Sequence, residues 1–318
     1  MEPAVMIARV LRRILAVLLT LWLISMITFA ATSLRSPSDV ARAALGRDVA
    51  PAQIQAFVHE YRLDGSLPAR YGRWLGDFAT GNWGTSPVTR LPVTQDIGPR
   101  LRNSLILATA ALVLALPLSI AVGLGIARRR GGRTDVAITT ASVVIAALPE
   151  FVVGIALLWV FAVQAGVLPV DSSGLTFGGL GAQVEAFVLP TLTLAIVLMP
   201  QFVRMVRAAA IDVLAQPYVR AAVLRGLPVR TILWRHVLPN TAAPLVNIVA
   251  INLVWLIGGV IVVENVFAFQ GIGQRLVAAV SQGDMPTVQA LAMVTGILFL
   301  AISLTADAIV GRVEARTR

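Results

Sequence analysis

The side chains able to do chemistry are few, and their spacing argues against catalysis. There is no cysteine, and all 26 basic residues are arginine. Thiol nucleophiles, cysteine-bound metals, a phosphate-binding Walker lysine and a lysine Schiff base are therefore excluded. His59 and His236 are the only histidines and lie far apart in the chain. Neither a His-Glu-x-x-His site nor a catalytic histidine pair can form from them. The expectation is no catalytic residue, no metal ligand set and no cofactor held by this chain. What stands out instead is an arginine-rich stretch from Arg204 to Pro239 and two carboxylates set against apolar blocks, Glu150 and Glu264. Any energy drawn from ATP must enter through another polypeptide.

These groups have to be positioned by membrane-spanning helices. The 318 residues are 57% hydrophobic and 13% charged, with a mean hydropathy of +0.82. That is too apolar for an ordinary soluble domain and predicts an all-α polytopic membrane protein. A net charge of +10 by itself suggests nucleic acid. The arginines, however, fall in short segments flanking apolar blocks, which is the signature of membrane orientation, so the expected partner is the lipid bilayer and not nucleic acid.

Six spans are predicted. The first occupies 1–34; its apolar block is longer than a signal-peptide core and lacks a small-residue cleavage site, so it is expected to be retained. Arg9, Arg12 and Arg13 place its start inside. Residues 35–103 read as an extracytoplasmic subdomain, in which Pro51 opens a helix with Ile54, Phe57, Val58 and Tyr61 on one face. Residues 104–311 hold five further spans and the loop 204–239, and 312–318 form a cytoplasmic tail. The second span, Ser104 to Ala127, is expected to kink at Pro117 and to offer Gly123 and Gly125 for close helix approach. The third, from about Asp135 to Val167, is expected to kink at Pro149, which places Glu150 at middle depth as a candidate for the solute path. An external loop, 168–185, a fourth span, Ala186 to Val203, a fifth, Thr241 to Val263, and a sixth, Thr287 to Val310, complete the set. Both termini then lie inside, and outside the long external region only Arg275 breaks the positive-inside pattern.

Within the arginine-rich stretch, Tyr218, Ala221, Ala222 and Arg225 recur at three and four residues. They predict a short helix with a small-residue face, ended by Gly226 and kept from resuming by Pro228. A small-residue face admits another protein's backbone, and arginines at its rim can meet carboxylates. The other reading of the same residues is an interfacial amphipathic helix or a solvated basic loop.

Arg220-Ala221-Ala222, Gly226 and His236-Val237-Leu238-Pro239 resemble the signature loop of ABC-importer permeases. Arg220 stands where that family has glutamate and His236 where it has isoleucine; Tyr218-Val219-Arg220 and Arg225-Gly226-Leu227 are closer to its dipeptide, oligopeptide and nickel branch. Leu63-Asp64, Pro68, Arg70-Tyr71, Trp74, Gly81-Asn82-Trp83-Gly84-Thr85-Ser86 and Pro92-Val93 resemble the first, B-type, permease subunit of that branch. Arg62 replaces a usual glycine and Asn82 an aspartate. Glu264, Phe267, Gly271-Ile272-Gly273, Asp284 and Pro286 continue the pattern, with Gln270 in place of proline. Near the end, Asp307 matches a family aspartate, but Glu314-Ala315-Arg316 stands where Asp-Pro-Arg is usual.

The resemblance implies the type I ABC-importer (MetI-like) permease fold in a bacterial plasma (inner) membrane and a transport subunit rather than an enzyme. It implies a second homologous permease, two ATP-binding subunits that hold ATP and magnesium, and an extracytoplasmic solute-binding protein. Tyr218, Arg220, Ala221, Ala222, Arg225 and Gly226 would then couple to the ATPase. Tyr71, Trp74 and Trp83 would help seat the binding protein, or else anchor the subdomain and fill its own core. Glu264 and Phe267 would sit at an external gate, or in a loop that caps two helices. Peptide is the expected solute. A nickel permease, an ion-coupled carrier and an intramembrane enzyme are the competing readings; the carrier needs several intramembrane polar groups where Glu150 stands nearly alone, and the enzyme lacks a histidine site.

Overall fold

The computed structural model describes residues 3–33, 36–46, 49–172, 174–177 and 179–317. The sequence boundary at 34/35, and Arg35, Arg47, Asp48 and Arg318 with it, lie outside the described residues, as do the side chains of Arg9, Arg312, Glu314 and Arg316. Among the described residues the regular structure is helical: α1 (Pro3–Ser33), α2 (Pro37–Leu45), α3 (Pro51–Glu60), α4 (Leu67–Ala79), α5 (Val93–Ala127), α6 (Arg133–Ala146) and α7 (Glu150–Leu158), which runs into a π-helical turn at Trp159–Gln164. Then come α8 (Gly174–Phe177), α9 (Leu180–Leu214), α10 (Pro217–Leu224), α11 (Val229–Thr231), a π-helical turn at Ile232–Val237 and α12 (Leu238–Asn240). The order ends with α13 (Ala242–Val266), α14 (Ile272–Gln282) and α15 (Met285–Thr317).

Five helices are long and apolar enough to cross a bilayer, covering Arg12–Ser33, Val93–Ala127, Leu180–Leu214, Pro244–Val266 and Met285–Gly311. A sixth segment is made of two helices, Arg133–Ala146 and Glu150–Gln164, bent by 102°. This is a break where the sequence predicts a kink, and the cause is local. Pro149 has no N–H to continue α6 and forces Leu148 out of helical geometry. Its own backbone is extended (φ −59°, ψ 143°), and its carbonyl accepts from the N–H groups of Val152 and Val153 to start α7. Pro190 and Pro200, in contrast, sit buried inside α9 without ending it. That helix therefore runs eleven residues past the span predicted to stop at Val203, carrying Arg204 and Arg207 on its last turns. Likewise α5 begins at Val93, well before the predicted Ser104.

The described residues divide into two compact units, one within Met1–Arg102 and Gly271–Ala301, the other within Asn103–Gln270 and Ile302–Arg318. In the first, Phe57 of α3 is buried against Val40 and Ala41 of α2, with Ile54 and Tyr61 packed alongside; Val58, expected on the same face, is not part of this cluster. α3 ends with Leu63 N–H bonded to the Val58 carbonyl and Arg62 N–H to that of His59. Arg62 thereby takes the left-handed position (φ 49°), a place that glycine fills without a Cβ penalty. A second cluster joins Val93 and Ile97 of α5, Ile272 of α14 and Ala290 and Leu291 of α15.

In the second unit the core is built from Leu107, Ala111 and Ala115 on α5, Leu194, Leu198 and Phe202 on α9, Leu256, Val260 and Val263 on α13, and Phe267 and Phe269 beyond it. Lipid is as apolar as these side chains, so the helices associate through close packing more than through water exclusion. Gly123 shows how close: a Cβ there would lie 2.8 Å from Val206 Cβ. Gly125, predicted for the same use, has open space around it.

Candidate functional site

The arginine-rich stretch folds as a short helix on a hydrophobic footing. Pro217 occupies the first turn of α10 behind an extended Gln216 (φ −69°, ψ 145°), which ends α9 and turns the chain. At the other end, Leu227 N–H bonds the Ala222 carbonyl and Gly226 N–H that of Val223, with Gly226 left-handed at φ 75°. This pair of bonds is the Schellman closure that the Gly226-x-Pro228 spacing predicts.

Which side of α10 faces out is a different matter. Val219 and Ala222 are buried, packed with Leu124 and Ala127 of α5, Val206 and Ala210 of α9, and Ile232 and Val237 of the following π turn. Ala222, expected on the docking face, therefore points into the protein's own core, because its neighbour at three residues is the apolar Val219. Tyr218, Arg220, Ala221, Arg225 and Gly226 are exposed. So is Leu224, at 88% the barest large apolar side chain described, and the sequence reading missed it. Its signal was a leucine three residues beyond Ala221 on the face opposite Val219.

Next to Val206 on α9, Arg207 donates two bonds to Asp135, which is almost fully buried at the start of α6: Nε to Oδ1 at 2.5 Å and Nη2 to Oδ2 at 2.7 Å. The backbone N–H of Gly131 adds a third, 2.9 Å to Oδ2.

Glu264 is fully buried in the last turn of α13 and accepts a short 2.5 Å hydrogen bond from Ser104 Oγ of α5. Phe267, at the end of the same helix, is also buried; its carbonyl accepts from Ser172 N–H. A Cβ on Gly154 of α7 would lie 3.3 Å from the Phe267 ring. The chain closes behind them through a bond from Phe269 N–H to the Glu264 carbonyl at 2.8 Å. Neither side chain is thus presented on a loop surface. Glu150 is half-buried in the first turn of α7, where the helix dipole favours a negative charge. Its carboxylate makes no hydrogen bond or ion pair among the described residues.

In the first unit, Tyr71, Trp74 and Trp83 are half-buried in a row of rings that seats α4 on α1. Tyr71 meets Phe29 edge-on at 5.4 Å and its hydroxyl lies 2.7 Å from Ser25 Oγ. Trp74 lies 5.8 Å from Phe29, and Trp83 stacks on Phe78 at 5.2 Å while donating to the Phe78 carbonyl. These contacts favour the anchoring role for the three residues. Trp74 and Trp83 still line an open cleft of ≈ 450 Å³, so part of each ring remains reachable.

The same unit holds a charged cluster that sequence reasoning passed over. Arg275 of α14 donates from Nε to Asp96 Oδ2 and from Nη2 to Asp284 Oδ2, both at 2.6 Å. Ser86 Oγ donates to Asp284 Oδ2 at 2.6 Å, and Arg100 Nε to Asp96 Oδ1 at 2.9 Å. Burial pulls the Arg275 guanidinium pKa down, but the bonds to Asp96 and Asp284 outweigh it and hold the group above the usual arginine value. The one arginine that breaks the orientation pattern is thus neutralised by paired carboxylates.

Five long apolar helices and a sixth broken segment define a polytopic helical membrane protein. Residues 115–318 match the family described as binding-protein-dependent transport system inner membrane component. Residues 6–92 match the N-terminal portion described for the same membrane components. The chain belongs to this family, and is a membrane-spanning permease subunit of an ABC importer with a separate ATPase and a solute-binding protein as partners. It is similar along its length to a probable peptide ABC transporter permease of Sinorhizobium fredii, with 28% identity over 309 residues covering 97% of this chain and 98% of the relative. The glutathione transport system permease of Pectobacterium atrosepticum is 31% identical over 309 residues, 97% and 98%. The oligopeptide transport system permease AppB of Bacillus subtilis is 30% identical over 315 residues, 98% and 99%.

Proposed function

We propose that this permease imports peptides across a bacterial inner membrane by alternating access, with both termini and α10 on the cytoplasmic side. It pairs with a second, related permease and two ATP-binding subunits, which hold ATP and magnesium. The binding protein delivers solute from outside, where the subdomain within 35–103 helps seat it through the exposed edges of Trp74 and Trp83. ATP closes the two ATPases, these draw the short basic helices together, and the pore opens outward.

The observation that carries this reading is the division of α10 into two faces. Val219 and Ala222 fix the helix to the permease core, while Tyr218, Arg220, Ala221, Leu224 and Arg225 are left bare. With Tyr218 and Val223 also bare, Leu224 belongs to an exposed apolar patch rimmed by arginines, a surface that suits a cleft in another protein where the arginines meet carboxylates. Glu150 is assigned to the solute path, and Glu264 and Phe267, both buried in this structure, to an external gate. Peptide is favoured over nickel because the relatives are named for peptides or glutathione and no group of three His, Cys, Asp or Glu able to hold a metal occurs among the described residues.

Because the chain has no cysteine, a Leu224→Cys variant carries a unique thiol. In membranes containing the whole complex it should cross-link to the ATPase subunit, and the complex should take up peptides from a casein digest in an ATP-dependent way. Two results would overturn the reading: labelling of that thiol by an impermeant reagent from outside, or accumulation of peptide by the chain alone in liposomes.

A further inference from the structure

Three segments meet on one carboxylate. Asp135 is 2% exposed and takes both oxygens' worth of bonding from the fork of Arg207, plus the Gly131 N–H. This fixes the end of α5 with its basic turn, the start of α6 and the last turns of α9 to one another. A two-pronged ion pair has one geometry, and shearing it breaks two charge-assisted hydrogen bonds to a carboxylate that is 2% exposed, although Arg207 itself is 25% exposed. The same stretch of α9 carries Val206 and Ala210, which pack against Val219 and Ala222 of α10. Gly123 lets α5 touch Val206 with no intervening side chain. Footing and ion pair are therefore adjacent parts of one block.

Beyond the block, α6 runs to the break at Ala147–Pro149, where the chain turns by 102° into α7 with Glu150 in its first turn. α7 packs at Gly154 against Phe267, Val266 and Thr193. The proline break is a hinge between two helices, at which a displacement of α6 changes the angle it makes with α7.

We propose that Asp135 and Arg207 are positioning residues for coupling: their ion pair makes α6 travel with the docking helix α10, so that movement imposed by the ATPase reaches Glu150 through the break at Pro149. This rests on α10 being the docking helix. Apolar packing alone would let α6 slide on α9; the directional pair prevents it.

The test uses the complete complex in proteoliposomes, supplied with its binding protein and a casein digest. Asp135→Asn should lower peptide taken up per ATP hydrolysed by about tenfold, the size of an ordinary coupling energy, while ATP hydrolysis and the Leu224→Cys cross-link persist. The exchange Asp135→Arg with Arg207→Asp should restore the ratio. Spin labels on Gln216→Cys and Val144→Cys should report one distance, unchanged between resting and vanadate-trapped states, and a changed distance once Asp135→Asn is added. If Asp135→Asn fails to assemble, Arg207→Lys keeps the charge without the fork and carries the same expectations. An unaltered uptake-to-hydrolysis ratio, or a label distance that changes in the otherwise unmodified complex, would overturn the proposal. Failure of the docking reading itself is seen separately, as a missing cross-link before any change at Asp135.

Discussion

Arg275 Nη2 lies 2.6 Å from Asp284 Oδ2, with 4% and 0% of the two side chains exposed. The pair closes a turn built by the left-handed Gly283, after which Asp284 N–H returns to the Ala279 carbonyl at 2.9 Å. Through Asp96 the same guanidinium ties α14 to the start of α5, and Asp284 accepts from the Ser86 hydroxyl of the loop before it.

Breaking this pair from one side leaves a buried charge alone. Arg275→Met is expected to cost about 3–5 kcal/mol, as is usual when one partner of a buried pair is lost. Unfolding of the purified permease by heat or SDS measures it. A midpoint equal to the parent's would mean that the cluster contributes nothing to holding α14.

Ala222 and Leu224 should separate stability from coupling. Ala222→Leu adds volume to a filled cluster and is expected to cost about 1–3 kcal/mol in stability. Leu224→Asp touches no core residue and should leave the unfolding midpoint in place while abolishing binding-protein-stimulated ATP hydrolysis. A stable Ala222→Leu protein with lost coupling would instead put Ala222 on the docking face.

Two left-handed positions give opposite signs. Gly226→Ala meets no atom within 4 Å, so its cost is the backbone strain of φ 75°, about 1–2 kcal/mol. It should appear as faster hydrogen exchange in α10. Arg62→Gly relieves the same strain at φ 49° and is expected to stabilise the protein by about 1 kcal/mol. A destabilised Arg62→Gly would show that the arginine side chain contributes more than its backbone costs.

Glu150→Gln keeps the shape of the first turn of α7 and removes its charge. Uptake is expected to fall while co-purification with the ATPase and the second permease is unchanged. Normal uptake by this variant would take Glu150 out of the solute path.

The apolar spans and the C-terminal stop of α10 were legible in the sequence, because each is set locally. Apolar length decides what can cross a bilayer whose interior satisfies no backbone group. Gly226 and Pro228 stop a helix by their own backbone geometry, and Pro149 breaks one by lacking an N–H. A chain without cysteine or lysine forgoes their chemistry in any fold.

What the tertiary structure alone decided is which partner each polar or small side chain meets. Arg275 and Asp96 are remote in sequence, as are Arg207 and Asp135, and no local pattern records such a pairing. Ala221 and Ala222 are chemically identical neighbours; only the packing of Val206 and Ile232 beneath α10 turns one inward and leaves the other bare. Glu264 ends an apolar helix either at a surface or in a core, and the hydroxyl of Ser104, brought by α5, is what places it in the core. Short-range backbone sterics are written residue by residue along the chain, whereas burial and ion pairing depend on surfaces that exist only once the helices have packed.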